Sequence, residues 1–81
     1  MDTINAVLDA MDEVLGLDKT EMQEMLDTNL MEEELIDSLS VITLINTIGR
    51  RLGMTIDLKR LKPEDFLTVR AIAAAVDAQK D

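Results

Sequence analysis

The sequence predicts an all-α fold, a small helical bundle, from three observations. Alanine, leucine, isoleucine and methionine dominate the 81 residues, whereas phenylalanine occurs once and tyrosine and tryptophan are absent, a balance that favours helices over strands. Three segments carry apolar residues at the i, i+3, i+4 spacing of an amphipathic helix. Capping residues or glycines stand at the ends of these segments. A chain of this length predicts one domain, spanning residues 1–81.

The first helix is predicted from about Thr3 to Leu15. Gly16 follows it, where a helix C-terminus favours glycine. Its apolar stripe is formed by Ile4, Val7, Leu8, Met11, Val14 and Leu15. A long connection over residues 17–34 comes next, in which Thr20-Glu21-Met22-Gln23 resembles a capping box and predicts a short turn of helix.

The central helix is predicted from about Ser38 to Leu52 and ends at Gly53. At 100° per residue, one arc of roughly 100°, the width of a buried stripe, holds Val41, Leu44, Ile45, Ile48 and Leu52. Leu39, Ile42 and Asn46 lie off this arc. Two alternatives stay open: the two apolar residues form an exposed contact patch, or another element covers them.

The remainder of the chain predicts a loop, a turn and a last helix. Residues 54–61 form the loop, and Pro63–Phe66 forms a short helical turn in which proline is acceptable at the first position. Thr68 caps a helix from Val69 to about Gln79. This helix is expected to bury Val69, Ile72, Ala73 and Val76.

The net charge of −9 is unevenly distributed along the chain. Residues 1–37 carry −11, because Lys19 is their one base and their acids are Asp2, Asp9, Asp12, Glu13, Asp18, Glu21, Glu24, Asp27, Glu32, Glu33, Glu34 and Asp37. Residues 38–81 carry +2. A strongly acidic surface repels nucleic-acid phosphates and attracts basic surfaces. We therefore expect basic protein partners and no nucleic acid.

Composition also predicts the compartment. The chain has no cysteine, which removes disulfides and thiolate metal sites and fits a reducing cytoplasm. No basic and apolar N-terminal signal is visible, and no apolar run approaches the ~20 residues that span a membrane. We expect a soluble, cytoplasmic monomer that does not insert into membranes.

Ser38 stands at the predicted start of the central helix, after Leu35-Ile36-Asp37. Free backbone N–H groups and the positive end of the helix dipole favour a phosphate at such a position, which makes Ser38 a candidate attachment residue. The alternative is that Asp37 or Ser38 only caps the helix.

Residues for catalysis are missing. A serine nucleophile needs a base, but histidine is absent and Lys19, Lys59, Lys62 and Lys80 all lie far from Ser38 in sequence. The acids around Glu32–Asp37 lack the ligand alternation of a calcium loop, and no glycine-rich phosphate loop is present. We expect no catalytic residue and no specific metal site.

These motifs resemble those of the carrier proteins of the acyl, peptidyl and D-alanyl types. The resemblance covers about residues 30–76. It rests on Leu35-Ile36-Asp37-Ser38-Leu39, the stripe of the central helix, Gly53-Met54-Thr55-Ile56, and Phe66-Leu67-Thr68-Val69. It implies a right-handed four-helix bundle with a long loop after the first helix and a short third helix near Pro63–Phe66.

The resemblance also implies a function. Ser38 would carry 4′-phosphopantetheine, installed from coenzyme A by a phosphopantetheinyl transferase that Asp37 helps to engage, and Asp37 and Leu39 would flank the cofactor as binding residues. The arm would hold an acyl or aminoacyl group as a thioester for a loading ligase and acyl-transfer enzymes of lipid, polyketide or related biosynthesis. Partner enzymes would contact Leu39, Ile42, Asn46 and Met54. The alternative is a non-catalytic acidic interaction module without a prosthetic group.

Three departures from the family pattern bear on these expectations, one of which is that Asn46 replaces an apolar contact residue. Glu34 stands where many members have glycine, so the turn before Ser38 is expected to differ. Fatty-acid carriers usually place acids on exposed positions of this helix, which are here predicted to be Ser40, Thr43, Asn46, Thr47, Arg50 and Arg51. The pattern is closer to stand-alone D-alanyl, aminoacyl or secondary-metabolite carriers with a dedicated partner set.

Overall fold

The computed structural model describes residues 2–80 and is all-helical within them. In chain order it contains α1 (Thr3–Leu15), α2 (Lys19–Gln23), α3 (Ser38–Leu52), 3₁₀ helices at Leu58–Arg60 and Pro63–Phe66, and α4 (Val69–Asp77). The predicted four-helix architecture is confirmed, with Pro63–Phe66 as its short third helix. The predicted bounds of α1 and α3 are correct, whereas α4 ends two residues earlier than predicted.

The core lies between α1, α3 and α4, because α1 packs against both of the other long helices. All four residues that α4 was expected to bury are buried. In α3 the first four residues of the predicted stripe are buried, and Leu52 is only partly buried at the edge. The largest fully buried apolar side chains are Leu8, Met11, Leu30, Leu44, Ile45, Ile48 and Ile72.

The helix starts are set by side-chain caps. Asp2 accepts a hydrogen bond of 2.8 Å from the Asn5 N–H group at the start of α1, and the Thr68 hydroxyl accepts one of 2.9 Å from the Ala71 N–H group at the start of α4. The capping box predicted at Thr20 is wrong. Asp18 caps α2 instead, accepting from the Thr20 N–H group at 2.7 Å, because α2 begins at Lys19 and Thr20 is already helical.

The connection between α2 and α3 is fixed to the start of α4. The Leu30 N–H group donates to the Leu67 carbonyl oxygen at 2.7 Å, and the Arg70 N–H group donates to the Leu26 carbonyl oxygen at 3.1 Å. The Arg70 guanidinium also pairs with Asp27 at 2.8 Å. Since Leu30 is fully buried, this connection holds the chain that leads into α3 in one place.

The end of α3 is packed against the segment that follows it. An ideal Cβ built on Gly49 would lie 2.7 Å from the Met54 carbonyl oxygen, so only glycine permits this approach. The Met54 N–H group donates to the Gly49 carbonyl oxygen at 2.9 Å, and Gly53 ends the helix with φ of +69°. The loop predicted over residues 54–61 therefore leaves the helix tightly, and it contains the unpredicted 3₁₀ helix Leu58–Arg60.

Within residues 2–80, no helix combines the length and the apolar content needed to cross a membrane.

Candidate functional site at the start of α3

Asp37, not Ser38, caps α3. The Asp37 carboxylate accepts hydrogen bonds from the Leu39 N–H group at 3.0 Å and from the Ser40 N–H group at 2.8 Å. The bond from the Ser40 N–H group is the main cause that lowers the pKa of Asp37 below its ordinary value. Ser38 is the first helical residue and is exposed. Its hydroxyl is thus not required for capping and remains available for attachment.

The turn before Asp37 uses an unusual backbone conformation. Glu34 has φ of +57°, in the left-handed region that favours glycine. The Leu35 N–H group donates to the Leu30 carbonyl oxygen at 2.9 Å, and Ile36 is buried as an anchor. Glu34 thus adopts a conformation that glycine, the residue many family members have here, would adopt more easily.

Leu39 and Ile42 form an exposed patch beside Ser38. Of the two alternatives left open by the sequence, the exposed patch is therefore confirmed. Leu39 is 80% exposed and Ile42 is 48% exposed, and Met31 and Leu58 are the other large apolar side chains with high exposure among the described residues. We call these four residues the apolar patch. Exposed apolar groups in one area commonly mark a contact surface.

A groove of about 400 Å³ opens next to the Ser38 side chain. Ser38 is the one residue with a polar side chain in its lining, which consists of Met31, Ser38, Val41, Ile42, Leu58, Leu61, Pro63 and Phe66. Four lining residues were not predicted as site residues: Met31, Leu58, Leu61 and Phe66. They lie in segments too short to show the periodicity of a long helix, and the one available signal, large apolar residues close to Pro63 in sequence, applied to Leu58, Leu61 and Phe66.

The predicted partner-contact residues fall in two places. Ile42 lines the Ser38 groove, and Leu39 lies on the surface beside it. Asn46 and Met54 instead line a separate groove of about 280 Å³ near the end of α3, together with Arg50. Thr47 was predicted to be exposed, and this is wrong: it is buried, and its hydroxyl donates to the Thr43 carbonyl oxygen at 2.9 Å.

The described residues place no candidate base at the Ser38 groove. None of the four lysines lines it. Lys19 pairs with Asp9 at 3.0 Å and Lys80 pairs with Asp77 at 3.2 Å, so each of these ammonium groups is held elsewhere. In residues 2–80 no three acidic side chains come close enough to hold a metal ion.

The family of this chain is decided by comparing its sequence with sequence models of known protein families. The model for the phosphopantetheine attachment site matches residues 5–76, nearly the whole chain. The chain belongs to the family of phosphopantetheine carrier proteins. Its cofactor is accordingly covalently attached 4′-phosphopantetheine.

This carrier protein also has a curated relative. It is 33% identical over 75 residues to a D-alanyl carrier protein of Lactococcus lactis subsp. lactis (strain IL1403), with 93% of this chain and 92% of the relative aligned. No solved structure matches this carrier protein.

The start of α3 is suited to a covalent phosphate ester. The Ser38 hydroxyl is exposed and is not used as a cap, and it lies in the first turn of a helix, at the end where the helix dipole favours negative charge. The adjoining groove leaves room beside the hydroxyl for an attached group. The residues of this carrier protein therefore fit the cofactor of its family.

Proposed function

We propose that Ser38 bears the 4′-phosphopantetheine group and that the protein presents an acyl or aminoacyl group to partner enzymes. One observation carries this proposal. The Asp37 carboxylate supplies the cap of α3, so the hydroxyl of the exposed residue next to it is available for modification.

The proposal gives each neighbouring residue a role. Asp37 holds the first turn of α3 in place, and the positive end of the helix favours the phosphate on Ser38. Leu39 and Ile42 offer apolar contact to enzymes that approach the arm. When bound, the cofactor supplies a thiol that holds the cargo as a thioester, so a chain without cysteine can serve this chemistry.

The protein acts in this proposal as a non-catalytic carrier, the substrate of a phosphopantetheinyl transferase, a loading ligase and acyl-transfer enzymes. An aminoacyl cargo is supported by the D-alanyl carrier relative and by the lack of acids on α3. The alternative of an interaction module without a prosthetic group is set aside, because the family carries a covalent cofactor.

The proposal also covers the extent and location of the carrier. Residues 1–81 form a single carrier domain in this proposal, which is supported by one continuous apolar core that includes residues of α1, α2, α3 and α4. A location in the cytoplasm stays a prediction from composition.

Attachment is tested by incubating apo protein with coenzyme A, Mg²⁺ and a broad-specificity transferase, followed by intact-mass measurement and peptide mapping. Wild type should gain one phosphopantetheine group on the peptide that contains Ser38. Ser38→Ala should gain none. Ser40→Ala, which removes a hydroxyl two residues away on the same helix, should be modified like wild type. Modification of Ser38→Ala, or a lack of modification in wild type, would refute the assignment.

Cargo is tested by charging the modified protein. Holo protein, ATP and the loading ligase of the same organism are incubated with D-alanine, with other amino acids or with fatty acids, and the thioester is measured by mass. Preferential loading of D-alanine or another amino acid would support the aminoacyl proposal. Loading of fatty acids alone would contradict it.

A further inference from the structure

The side chain of Gln79 is bonded to the backbone of a residue far away in the sequence. Its Oε1 atom accepts a hydrogen bond of 2.7 Å from the Asp57 N–H group, and its Nε2 group donates one of 3.0 Å to the Asp57 carbonyl oxygen. A side-chain amide is suited to this double contact, because it offers a donor and an acceptor side by side. Gln79 thus holds both backbone polar groups of the residue that precedes the 3₁₀ helix Leu58–Arg60.

Gln79 follows α4 and is itself held to it. Its N–H group donates to the carbonyl oxygen of Val76 at 3.0 Å, and the Val76 side chain is fully buried. Nearby, the Asp77 carboxylate accepts a hydrogen bond from the Thr3 hydroxyl of α1 and pairs with Lys80 at 3.2 Å. The Gln79 amide is therefore attached to a part of the molecule that is packed into the core.

Residues 57–60, by contrast, have few other attachments. They are exposed, and the apolar anchors of the segment lie on either side of them: Ile56, which is buried, and Leu61, which is partly buried. The backbone N–H groups of residues 59–61 donate to acceptors within the same segment. Within residues 2–80, the hydrogen bonds that join residues 57–61 to another part of the chain are those of Gln79.

This segment forms part of the wall of the Ser38 groove. Leu58 and Leu61 line the groove together with residues of α3. Leu58 directly follows Asp57, the residue that Gln79 holds. A displacement of Asp57 would therefore move Leu58 and change the width of the groove.

Another part of the wall is held in a different way. Met31 and Phe66 also line the groove, and they directly follow and precede two residues, Leu30 and Leu67, that are joined by a backbone hydrogen bond of 2.7 Å. Substitution of a side chain does not remove that bond. The wall that contains Leu58, however, is tied by hydrogen bonds to a single side chain.

We infer that Gln79 is a positioning residue of the Ser38 site. By holding Asp57, its amide keeps Leu58 in place and so sets the width of the groove before any group enters it. A groove that is formed in advance binds with a lower ordering cost than one that must first assemble. The use of this groove by the group on Ser38 rests on the proposed function, whereas the positioning by Gln79 can be measured without it.

Amide hydrogen exchange of the apo protein, followed residue by residue with NMR, tests the inference in the variant Gln79→Met. Methionine keeps the length of the side chain but has no amide, so both bonds to Asp57 are lost. The N–H groups of Lys59, Arg60 and Leu61 keep their own acceptors. They should nevertheless exchange about tenfold faster or more, because the loss of two hydrogen bonds favours local opening by about that factor.

The matched control is Gln23→Met, the same change at an exposed glutamine of α2 that does not line the groove. Its exchange rates should stay within about twofold of wild type, as for most surface substitutions. The N–H groups of Leu30 and Arg70, which are bonded across the other connection, are the internal reference and should be unchanged in Gln79→Met.

Two exchange patterns would overturn the inference. Faster exchange at the Asp57 N–H group alone would show that the rest of the segment is held without Gln79. An increase at Leu30 as large as that at Leu61 would show that the variant acts on the whole fold and not on one wall of the groove.

The width of the groove is measured with a pair of spin labels, which attach only at introduced cysteines because the chain has none of its own. Thr43→Cys on α3 and Lys59→Cys on the 3₁₀ helix place the labels at exposed positions that do not line the groove. Addition of Gln79→Met should broaden the distribution of distances between the labels, and addition of Gln23→Met should not. An unchanged distribution in Gln79→Met would also overturn the inference.

Attachment to Ser38 is measured by mass in the same preparations to separate the two proposals. Wild type that is never modified on Ser38 would overturn the proposed function and leave the positioning by Gln79 standing. Normal modification of wild type, together with unchanged exchange in Gln79→Met, would overturn the positioning alone.

Discussion

The two ends of α3 are built in different ways. At its start, a single carboxylate, that of Asp37, accepts two backbone N–H groups and leaves the neighbouring Ser38 exposed. At its end, Gly49 is buried against the Met54 carbonyl oxygen. The start is held by side-chain hydrogen bonds at the surface, and the end is held by backbone contact that leaves no room for a side chain.

This difference gives the two ends of α3 separate roles: the start presents a side chain for modification, and the end positions the segment that follows the helix. The start of α3 can present a group because the residue that stabilises the helix is not the residue that presents it. The end of α3 fixes the direction of the chain into Leu58 and Leu61, which line the Ser38 groove. A change at the end should therefore cost stability, whereas a change at Ser38 should cost function.

Gly49→Ala should have the largest effect on stability. The new Cβ would lie 2.7 Å from the Met54 carbonyl oxygen, so the segment after α3 must shift, and we expect a loss of about 1–3 kcal/mol in the free energy of unfolding. Urea denaturation followed by circular dichroism measures it. Thr43→Ala, an exposed position of the same helix, serves as control and should be neutral or slightly stabilising. A gain of about 1 kcal/mol in Gly49→Ala, as helix propensity alone would give, would contradict the close approach.

Glu34→Gly should have the next largest effect, with the opposite sign. A residue with a Cβ pays roughly 1–2 kcal/mol in the left-handed region, and glycine loses about 0.5–1 kcal/mol through its flexibility when unfolded. With φ of +57° at Glu34, a net gain of up to about 1 kcal/mol is expected.

The control for Glu34→Gly is Glu33→Gly, which removes the same charge at the adjacent residue. Glu33 does not have a positive φ, so this variant should lose about 0.5–1 kcal/mol. Urea midpoints of both variants are compared with wild type. Equal losses in the two variants would show that the chain before α3 does not need a left-handed residue at Glu34.

The long helices could be predicted from sequence because their signals are local and agree with one another. Both ends of α3 were predicted correctly, because the Asp37-Ser38 start, the apolar stripe and Gly53 all indicate the same helix. The conformation at Glu34 could not be predicted from the residue itself, because it accompanies the hydrogen bond from the Leu35 N–H group to the Leu30 carbonyl oxygen and the burial of Ile36; the family's frequent glycine at this position was the one signal. Glutamate carries no local signal for that conformation.

In the candidate site, the residues on α3 could be predicted from sequence, whereas the groove-lining residues outside α3 could not. Ser38, Leu39 and Ile42 lie on a periodic helix, so their positions follow from spacing. Leu58, Leu61 and Phe66 enter the groove only because the tight turn after α3 and the two 3₁₀ helices bring them there. Thr47 was misplaced because a polar residue was assumed to face solvent, whereas its hydroxyl is satisfied by the Thr43 carbonyl oxygen.

Acid should weaken the start of α3 more than its end. Hydrogen bonding lowers the pKa of Asp37 in the folded protein, so its contribution to stability is present above the unfolded value near 3.8 and is lost as the pH falls through the lower folded value. Asp37→Asn cannot titrate and should remove this part of the pH dependence. The stability difference between wild type and variant should therefore shrink as the pH falls below about 4.

Denaturation in urea from pH 7 down to pH 2.5, roughly the range over which a lowered carboxylate pKa acts, measures this effect. Asp12→Asn, which removes an exposed carboxylate of α1 that caps no helix, is the control for the change in net charge. Parallel curves for wild type and Asp37→Asn over the whole range would show that the cap does not depend on the charge of Asp37.

Ser38→Ala should have the smallest effect on stability, within about 0.5 kcal/mol of wild type, because Asp37 retains the cap and alanine is a good helix former. The comparable hydroxyl at the start of α4 behaves differently: Thr68 itself accepts the Ala71 N–H group, so Thr68→Ala should lose about 1 kcal/mol. Both are measured by urea denaturation of the apo protein. A loss in Ser38→Ala equal to that in Thr68→Ala would mean that the Ser38 hydroxyl supports the helix after all. If Ser38→Ala instead abolishes modification without loss of stability, that hydroxyl serves attachment and not the fold.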